Sequence, residues 1–341
     1  MNNQERYSRQ VALPEIGLAG QEKLLKSRVV IVGCGALGSV SAGLMARAGV
    51  GDIRIVDRDF VELDNLQRQD LFTEKDAEDS APKALRAAEH LREIKSGIRV
   101  EGIFANLSHR NAEHLLAAAD IILDATDNFH TRLLVNDVSL KFNIPWIYGG
   151  VLGSSGMTMN ILPCRTACYR CLLPMPPPPG SVPTCETAGV LSPVVRIIAS
   201  LQVLEAMKYL VGEEKLLSGD LVFFDGWDNS FQRITIGRKD DCPACVKKEW
   251  IYLYPKEEQF SVTTLCGRDA VHVEAPAGSR VSLESLAEKL KDAGRVRLEP
   301  HVLNFTAEPY QIFIFEDGRA IIKGVQDEKK ALALYARYVG M

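Results

Sequence analysis

The chain has 341 residues, 46% of them hydrophobic, and a formal charge of −4. That length predicts about two domains and a sizeable core. With 40 Lys and Arg against 44 Asp and Glu, a generally basic surface is excluded, so nucleic acid is not an expected partner and any anion site must be local. Residues 1–6 are polar and lack the apolar run of a signal peptide. No stretch approaches the ~18 uninterrupted apolar residues of a membrane span, and a cytoplasmic protein is expected.

Val29–Val32 is a continuous, mostly β-branched apolar run, which predicts a strand buried on both faces. It leads into Gly33-Cys34-Gly35-Ala36-Leu37-Gly38, then a helix over 39–48 that Gly49 stops. A second strand over 52–56 ends at Asp57. Strand, glycine turn, helix and strand begin a parallel sheet. Helices are expected over 81–93, 111–118 and 132–142, and strands over 99–103, 120–124 and 145–148. The glycine-rich run from Gly149 to Gly156 is expected to break this pattern before an antiparallel strand over 157–162. A crossover loop over 174–190 opens with a proline-rich, extended stretch. A buried helix over 192–210 and strands over 221–224 and 231–236 follow.

The expected fold is therefore α/β. It is a Rossmann-like, doubly wound, mainly parallel sheet with an antiparallel continuation, over residues 1–246. A linker is placed at 247–261 and a small α+β domain at 262–341. In that domain a strand is expected over 270–274, a helix over 283–290 and a last helix over 328–338. Between them, 311–315 and 319–322 form a hairpin over Asp317-Gly318.

The glycine loop carries the first chemical signal. One glycine takes the tight turn, one lets the backbone approach a phosphate, and one lets helix and strand pack closely. The helix N-terminus behind it favours an anion. Asp57, at the end of the next strand, suits the ribose hydroxyls of an adenosine nucleotide. The loop alone does not separate NAD from ATP. Arg9, Asn65, Arg68, Lys83 and Asp127-Asn128 surround it in sequence. Taken singly, Arg9, Arg68 or Lys83 reads as a solvated charge. Two Arg, a Lys and an Asp directed at one crevice suit a triphosphate with Mg²⁺.

The second signal is cysteine spacing. Cys168-x2-Cys171 and Cys242-x2-Cys245 are two chelating pairs, the pattern of a closed, structural zinc clamp with four thiolate ligands. Cys164-x3-Cys168-x2-Cys171 also has the spacing of a radical iron–sulfur motif, but that reading leaves the second pair unexplained. Cys185 follows the proline run on a loop that could reach over the site. As a nucleophile it would need a lowered pKa; it reads equally as a dispensable thiol. Cys34 reads as a packing residue, and Cys266 has no chemical role.

Several segments in order carry a family resemblance: Arg6-Tyr7-Ser8-Arg9-Gln10, the glycine loop, Ala48-Gly49-Val50-Gly51, Asp57, Asn65-Leu66-Gln67-Arg68-Gln69, Pro82-Lys83, Asp124-Ala125-Thr126-Asp127-Asn128 and Thr184-Cys185-Glu186-Thr187-Ala188-Gly189. Over roughly residues 5–245 the chain resembles the ubiquitin-activating-enzyme superfamily, in its bacterial ThiF/MoeB branch. Ala36 stands where that family often has Gly. The resemblance implies ATP bound by Gly33, Gly35, Ala36, Gly38 and Asp57. It implies Asn65, Arg68 and Lys83 on the phosphates and nearby ribose, and Asp127 with Asn128 at the Mg²⁺ and reacting end. Arg9 would reach in from a neighbouring subunit, so a homodimer with two sites is expected. Cys185 would take part in later sulfur or thioester chemistry. The implied substrate is a small ubiquitin-like sulfur carrier ending in Gly-Gly, whose carboxylate is adenylated with release of pyrophosphate. A ThiS-like carrier of thiamine synthesis is favoured over a MoaD-like carrier of molybdopterin synthesis. The Gly149–Gly156 segment is a candidate channel for the Gly-Gly tail. Two other classes remain. An NAD-dependent oxidoreductase would respond to NADH and not need Arg68 or Lys83. A non-catalytic scaffold would bind carrier without releasing pyrophosphate.

Overall fold

The structure is a computed structural model. It describes residues 3–177, 182–183, 185–255, 262–265, 270–273, 275 and 280–340. Much of the expected proline-rich crossing, part of the linker, and Cys266 lie outside the described residues. The chain divides into two compact units, residues 1–254 and 255–341. Among the described residues no helix is long and apolar enough to cross a membrane.

The first unit is built on eight strands: β1 (Arg28–Val32), β2 (Asp52–Asp57), β3 (Arg99–Phe104), β4 (Ile121–Asp124), β5 (Trp146–Leu152), β6 (Ser155–Ile161), β7 (Leu221–Asp225) and β8 (Ser230–Ile234). Their order in the sheet is β3-β2-β1-β4-β5-β6-β7-β8. The first five pair in parallel and the last three continue antiparallel. Alternation along β1 explains its unbroken apolar run. Val29 and Ile31 enter one core with Met45, Ala84, Leu91 and Val203. Val30 and Val32 enter the other with Leu133, Val138, Trp146 and Tyr169. The helices Ala36–Ala48, Lys83–Ile94 and Ser192–Val211 thus cover one face, and Phe129–Phe142 covers the other. Gly49, at φ +100°, ends the first of these in the left-handed conformation that glycine tolerates best.

Two expectations for this unit change. The glycines at 149 and 150 do not break the strand, because β5 runs through them to Leu152 in full register with β6. Glycine is required there by close packing: a Cβ on Gly149 would lie 2.5 Å from the Gln202 side chain, and one on Gly150 2.8 Å from the Tyr148 hydroxyl. Residues 247–254, expected in the linker, fold onto this unit. Leu253 is buried in the second core, and the Tyr252 N–H donates to Asp137 at 3.0 Å. An N-terminal helix not expected from the sequence, Gly17–Lys26, also packs here, burying Leu24.

The second unit is an antiparallel sheet with strands β9 (Val262–Leu265), β10 (Ala270–Val273), β11 (Arg295–Glu299), β12 (Val302–Ala307), β13 (Tyr310–Ile314) and β14 (Ala320–Lys323). Their order is β11-β12-β13-β14-β10-β9. The helices Leu283–Leu290 and Glu328–Tyr338 share its core. Strands β9, β11 and β12 are additions to the sequence reading. Arg295-Val296-Arg297-Leu298-Glu299 lies at the edge of the sheet, where its polar alternation is free to face solvent.

Candidate active site

In the order β3-β2-β1-β4-β5 the chain reverses direction across the sheet between β1 and β4. That reversal opens a crevice at the carboxyl ends of these strands, the place where doubly wound sheets take ligands. The glycine loop closes one side of it. Gly33 sits at φ +91°, and a Cβ there would be 2.6 Å from the Ala125 carbonyl oxygen. A Cβ on Gly38 would be 2.0 Å from the Gly33 carbonyl oxygen. A Cβ on Gly35, by contrast, would meet only the Gln69 amide, at 4.0 Å, so the backbone here is approachable. No side chain caps the Ala36–Ala48 helix. Its first N–H groups are free for an anion. Ala36 packs its methyl with the Leu37, Val40 and Val195 cluster, which makes alanine a fit at that position.

Asp57 ends β2 beside this loop. Its carboxylate accepts from the Cys34 N–H and, at 2.6 Å, from the Asp59 N–H. Burial and the neighbouring Asp59 push its carboxyl above the usual range, and Lys83 pulls it back. Lys83 is 2% exposed, at the N-terminus of its helix, with its ammonium 3.6 Å from Asp59. Pro82 precedes it and bridges to Phe60, which fixes that helix end beside β2. Asn65 is buried and its side-chain amide donates to Asp64 at 2.7 Å, while its side-chain oxygen has no partner among the described residues. Arg68 is partly exposed and donates to the Asp64 carbonyl at 2.7 Å.

On the far side of the crevice β4 ends at Asp124, fully buried. Asp124 accepts from Arg132 at 3.1 Å and from the Thr126 hydroxyl at 2.6 Å. Burial pushes the Asp124 carboxyl up while Arg132 opposes it. This buried pair holds the loop that presents Asp127, which is exposed. The Asn128 side-chain oxygen caps the next helix, accepting from the Thr131 N–H at 2.9 Å. The structure therefore gathers the glycine loop, Asp57, Lys83 and the Asp124–Asn128 loop at one rim. Arg9 does not join them. Its neighbours Tyr7 and Gln10 pack at Gly49 and Ala48, at the far end of the 13-residue Ala36–Ala48 helix. At 1.5 Å per residue that helix is about 20 Å long. Arg9 is exposed there.

Residues 7–244 match the ThiF family. The chain belongs to the ThiF family. It is 41% identical over 338 residues to the sulfur carrier protein ThiS adenylyltransferase of Bacillus subtilis, covering 98% of this chain and 99% of that one. It is 40% identical over 241 residues to the SAMP-activating enzyme E1 of Haloferax volcanii, covering 71% of this chain and 88% of the relative. Among solved structures it is similar to E. coli MccB with ATP, at 26% identity and a TM-score of 0.63, covering 71% of this chain and 75% of that chain.

The ThiF-family unit also gathers its four paired cysteines. The Sγ–Sγ distances are 3.9 Å for Cys168–Cys171, 3.6 Å for Cys168–Cys242 and 3.7 Å for Cys171–Cys245, and all four sulfurs lie within 4.8 Å of one another. A tetrahedral site with metal–sulfur bonds of ~2.3 Å has sulfur edges of about 3.8 Å, which these three distances match, so the four cysteines are gathered closely enough to hold one ion between them. Cys164 is exposed and outside the set. Cys185 is half-buried beneath Val151, its thiol 3.7 Å from that carbonyl. Burial and Asp127 raise its pKa, with Arg68 and Arg132 offsetting only part. Both effects oppose the activated thiolate that a nucleophile requires.

Two residues at the ThiF-type crevice carry no role in the sequence reading. Gln69 is 3% exposed, its side-chain amide nitrogen faces Gly35, and its side-chain oxygen has no partner among the described residues. Arg132 is buried and holds Asp124. The available signal is position: Gln69 directly follows Arg68, and Arg132 lies one helical turn after Asn128.

Proposed function

We propose that this protein adenylates the C-terminal carboxylate of a small, ubiquitin-like sulfur carrier ending in Gly-Gly, with ATP as the nucleotide donor. The observation that carries the reading is the meeting of an uncapped, glycine-lined helix N-terminus with buried Lys83 and the Asp127 loop across one crevice. That arrangement suits a polyphosphate and a charge-rich transition state. The likeness over 98% of the chain to a ThiS adenylyltransferase supports a ThiS-type carrier, with a MoaD-type carrier as the second arm of the test.

In this reading Gly33, Gly35, Ala36 and Gly38 cradle the nucleotide phosphates, and Asp57 takes the ribose hydroxyls. Lys83 stands at the α-phosphate, where charge builds. Asn65 and Arg68 orient the phosphates. Asp127, next to Asn128, would hold Mg²⁺, which supplies charge neutralisation. A carboxylate oxygen of the carrier bonds to the α-phosphorus, the bond from that phosphorus to the bridging oxygen breaks, and pyrophosphate leaves. Positioning and electrostatics supply the rate.

The reading also includes a homodimer. The neighbours of Arg9 pack at the end of the Ala36–Ala48 helix opposite its own glycine loop, which supports its entry into a partner's site. Cys168, Cys171, Cys242 and Cys245 would hold a structural Zn²⁺, closed to substrate. Cys185 is reserved for steps after adenylation. The described cysteines are free, which suits a cytoplasmic setting.

The test is ATP–pyrophosphate exchange with ThiS-type and MoaD-type carriers supplied separately. Carrier-dependent exchange that Asp127→Ala abolishes is expected. No exchange with either carrier, from folded and metal-loaded protein, would overturn the assignment.

A further inference from the structure

The pairing of β4 with β5 stops at Leu123–Ile147. Beyond that point β4 leads into the Asp124–Asn128 loop, while β5 continues to Leu152 alongside β6. Two side chains span the opening from opposite faces of the sheet. Gln202, fully buried on the Ser192–Val211 helix, donates to the Asp124 carbonyl at 2.8 Å and to the Ile147 carbonyl at 3.1 Å. Both of its N–H donors are used, one on each diverging strand. From the other face Arg132 donates to the Thr126 carbonyl at 2.6 Å, the Gly149 carbonyl at 3.1 Å and the Asp124 carboxylate at 3.1 Å.

The backbone is shaped around Gln202. Gly149 leaves free the volume in which its Cβ would come within 2.5 Å of the Gln202 amide nitrogen. The Gln202 carbonyl oxygen is buried with no partner among the described residues. A methionine would fill the same space without that unpaired acceptor, so packing alone does not account for an amide here. What only the amide does is bind one carbonyl on each strand where their own pairing ends.

We propose that Gln202 is a positioning residue for the adenylation step, acting with Arg132 to set where the Asp124–Asn128 loop presents Asp127 to the glycine loop. The inference rests on the role given to Asp127 above. It also links the two sides of the crevice, because the helix that carries Gln202 begins just after Cys185 and Gly189. The Gly153 N–H donates to the Gly189 carbonyl and the Leu191 N–H to the Gly153 carbonyl, both at 2.8 Å, so the start of this helix is pinned to the β5–β6 turn.

The experiment uses the full chain with Gln202→Met, and with Gly149→Ala, which displaces the amide without removing it. For both variants the kcat of carrier-dependent exchange is expected to fall about 10- to 100-fold, with KM for ATP and carrier within about threefold, as for a misplaced catalytic group. The Mg²⁺ concentration for half-activation rises. Amide hydrogen exchange over residues 125–128 accelerates while the rest of the sheet keeps its protection. A purely structural role would lower the melting temperature and leave kcat per folded molecule and the Mg²⁺ curve unchanged, and that result overturns the proposal. If wild-type protein shows no exchange with either carrier, the adenylation reading fails. Hydrogen exchange then still decides the local claim, since unchanged protection over 125–128 in both variants refutes it without any turnover.

Discussion

The two units place their strand ends differently, and the difference accounts for where the chemistry lies. In the first, five parallel strands finish at one rim, so the glycine loop, Asp57 and Asp124 converge without long loops. In the second, every strand pairs antiparallel with its neighbour, so strand ends are divided between the two edges of the sheet. The buried polar groups follow the same division. Asn65, Gln69, Lys83, Asp124, Arg132 and Gln202 are buried around the parallel rim, whereas the buried polar residues described in the second unit are His272 and Arg319. Burying a polar group costs free energy unless it is paired. At the rim Asn65 and Gln69 each keep a buried side-chain oxygen without a partner among the described residues, which leaves acceptors there for a bound ligand.

The strongest way to separate the units is to disrupt the four-cysteine cluster proposed to hold Zn²⁺. Cys168→Ser or Cys242→Ser, or prolonged chelation, should cost the first unit several kcal/mol, a fraction of the ~10–16 kcal/mol associated with structural zinc sites. Calorimetry should then show the first unit's transition collapsing to lower temperature while that of the second stays in place. A metal-free protein with an unchanged first transition would break the comparison. Next in size is Lys83→Ala. Losing a preorganised charge at the reacting phosphate should lower kcat for pyrophosphate exchange about 10²- to 10³-fold, or ~3–4 kcal/mol, with the second unit's stability unaltered. Exchange within a few-fold of wild type would remove Lys83 from the chemistry.

Sequence reasoning reaches these two sites unequally. The parallel sheet is legible through continuous apolar runs such as Val29–Val32, and the cysteine set through spacing, because both signals are local. Residues 149–150 mislead for a definable reason. Glycine reads as a chain breaker, but here it answers to Gln202 and Tyr148, which arrive from a distant helix and from the same strand. Gln202 itself is a single amide within an apolar helix, and nothing local marks which carbonyls it meets. Strand β11 escapes a reading by composition because an edge strand with charged alternation has the composition of a loop. Arg9 is the opposite case: the motif is plain, while its distance from its own glycine loop needs the packing of Tyr7 and Gln10 to appear.

A smaller effect sharpens the comparison through pH. Asp137 is fully buried on the Phe129–Phe142 helix, where burial pushes its carboxyl from 3.8 up to about 6, partly offset by the Tyr252 N–H. An acid whose folded pKa lies above its unfolded value holds its proton more tightly when folded. It therefore takes stability away as pH rises from about 4 to about 6, with no further change above that. Asp137→Asn should leave unfolding free energy unchanged near pH 4 and raise it by up to ~3 kcal/mol near pH 7.5. Urea unfolding of the first unit at the two pH values checks this, and an equal effect at both would show that Asp137 does not titrate on unfolding.

The smallest expected effect is the most direct test of the division itself. No residue assigned to the crevice or the cysteine clamp lies beyond Tyr254, and the segment up to that residue is held on the first unit, where Lys141 contacts both Glu113 and Tyr254. A chain ending after Tyr254 should therefore keep its clamp and its crevice. Its kcat/KM for pyrophosphate exchange should stay within about threefold of the full chain, a difference of ~0.6 kcal/mol. The melting transition of the first unit should move by no more than a few degrees. Separate determination of kcat and of KM for the carrier makes the outcome informative in either direction. A rise in carrier KM with kcat preserved would give the second unit a part in capturing the carrier while leaving the chemistry with the first. A fall in kcat at constant KM would mean that the antiparallel unit acts on the crevice after all, and the contrast between the two sheets would no longer locate the reaction.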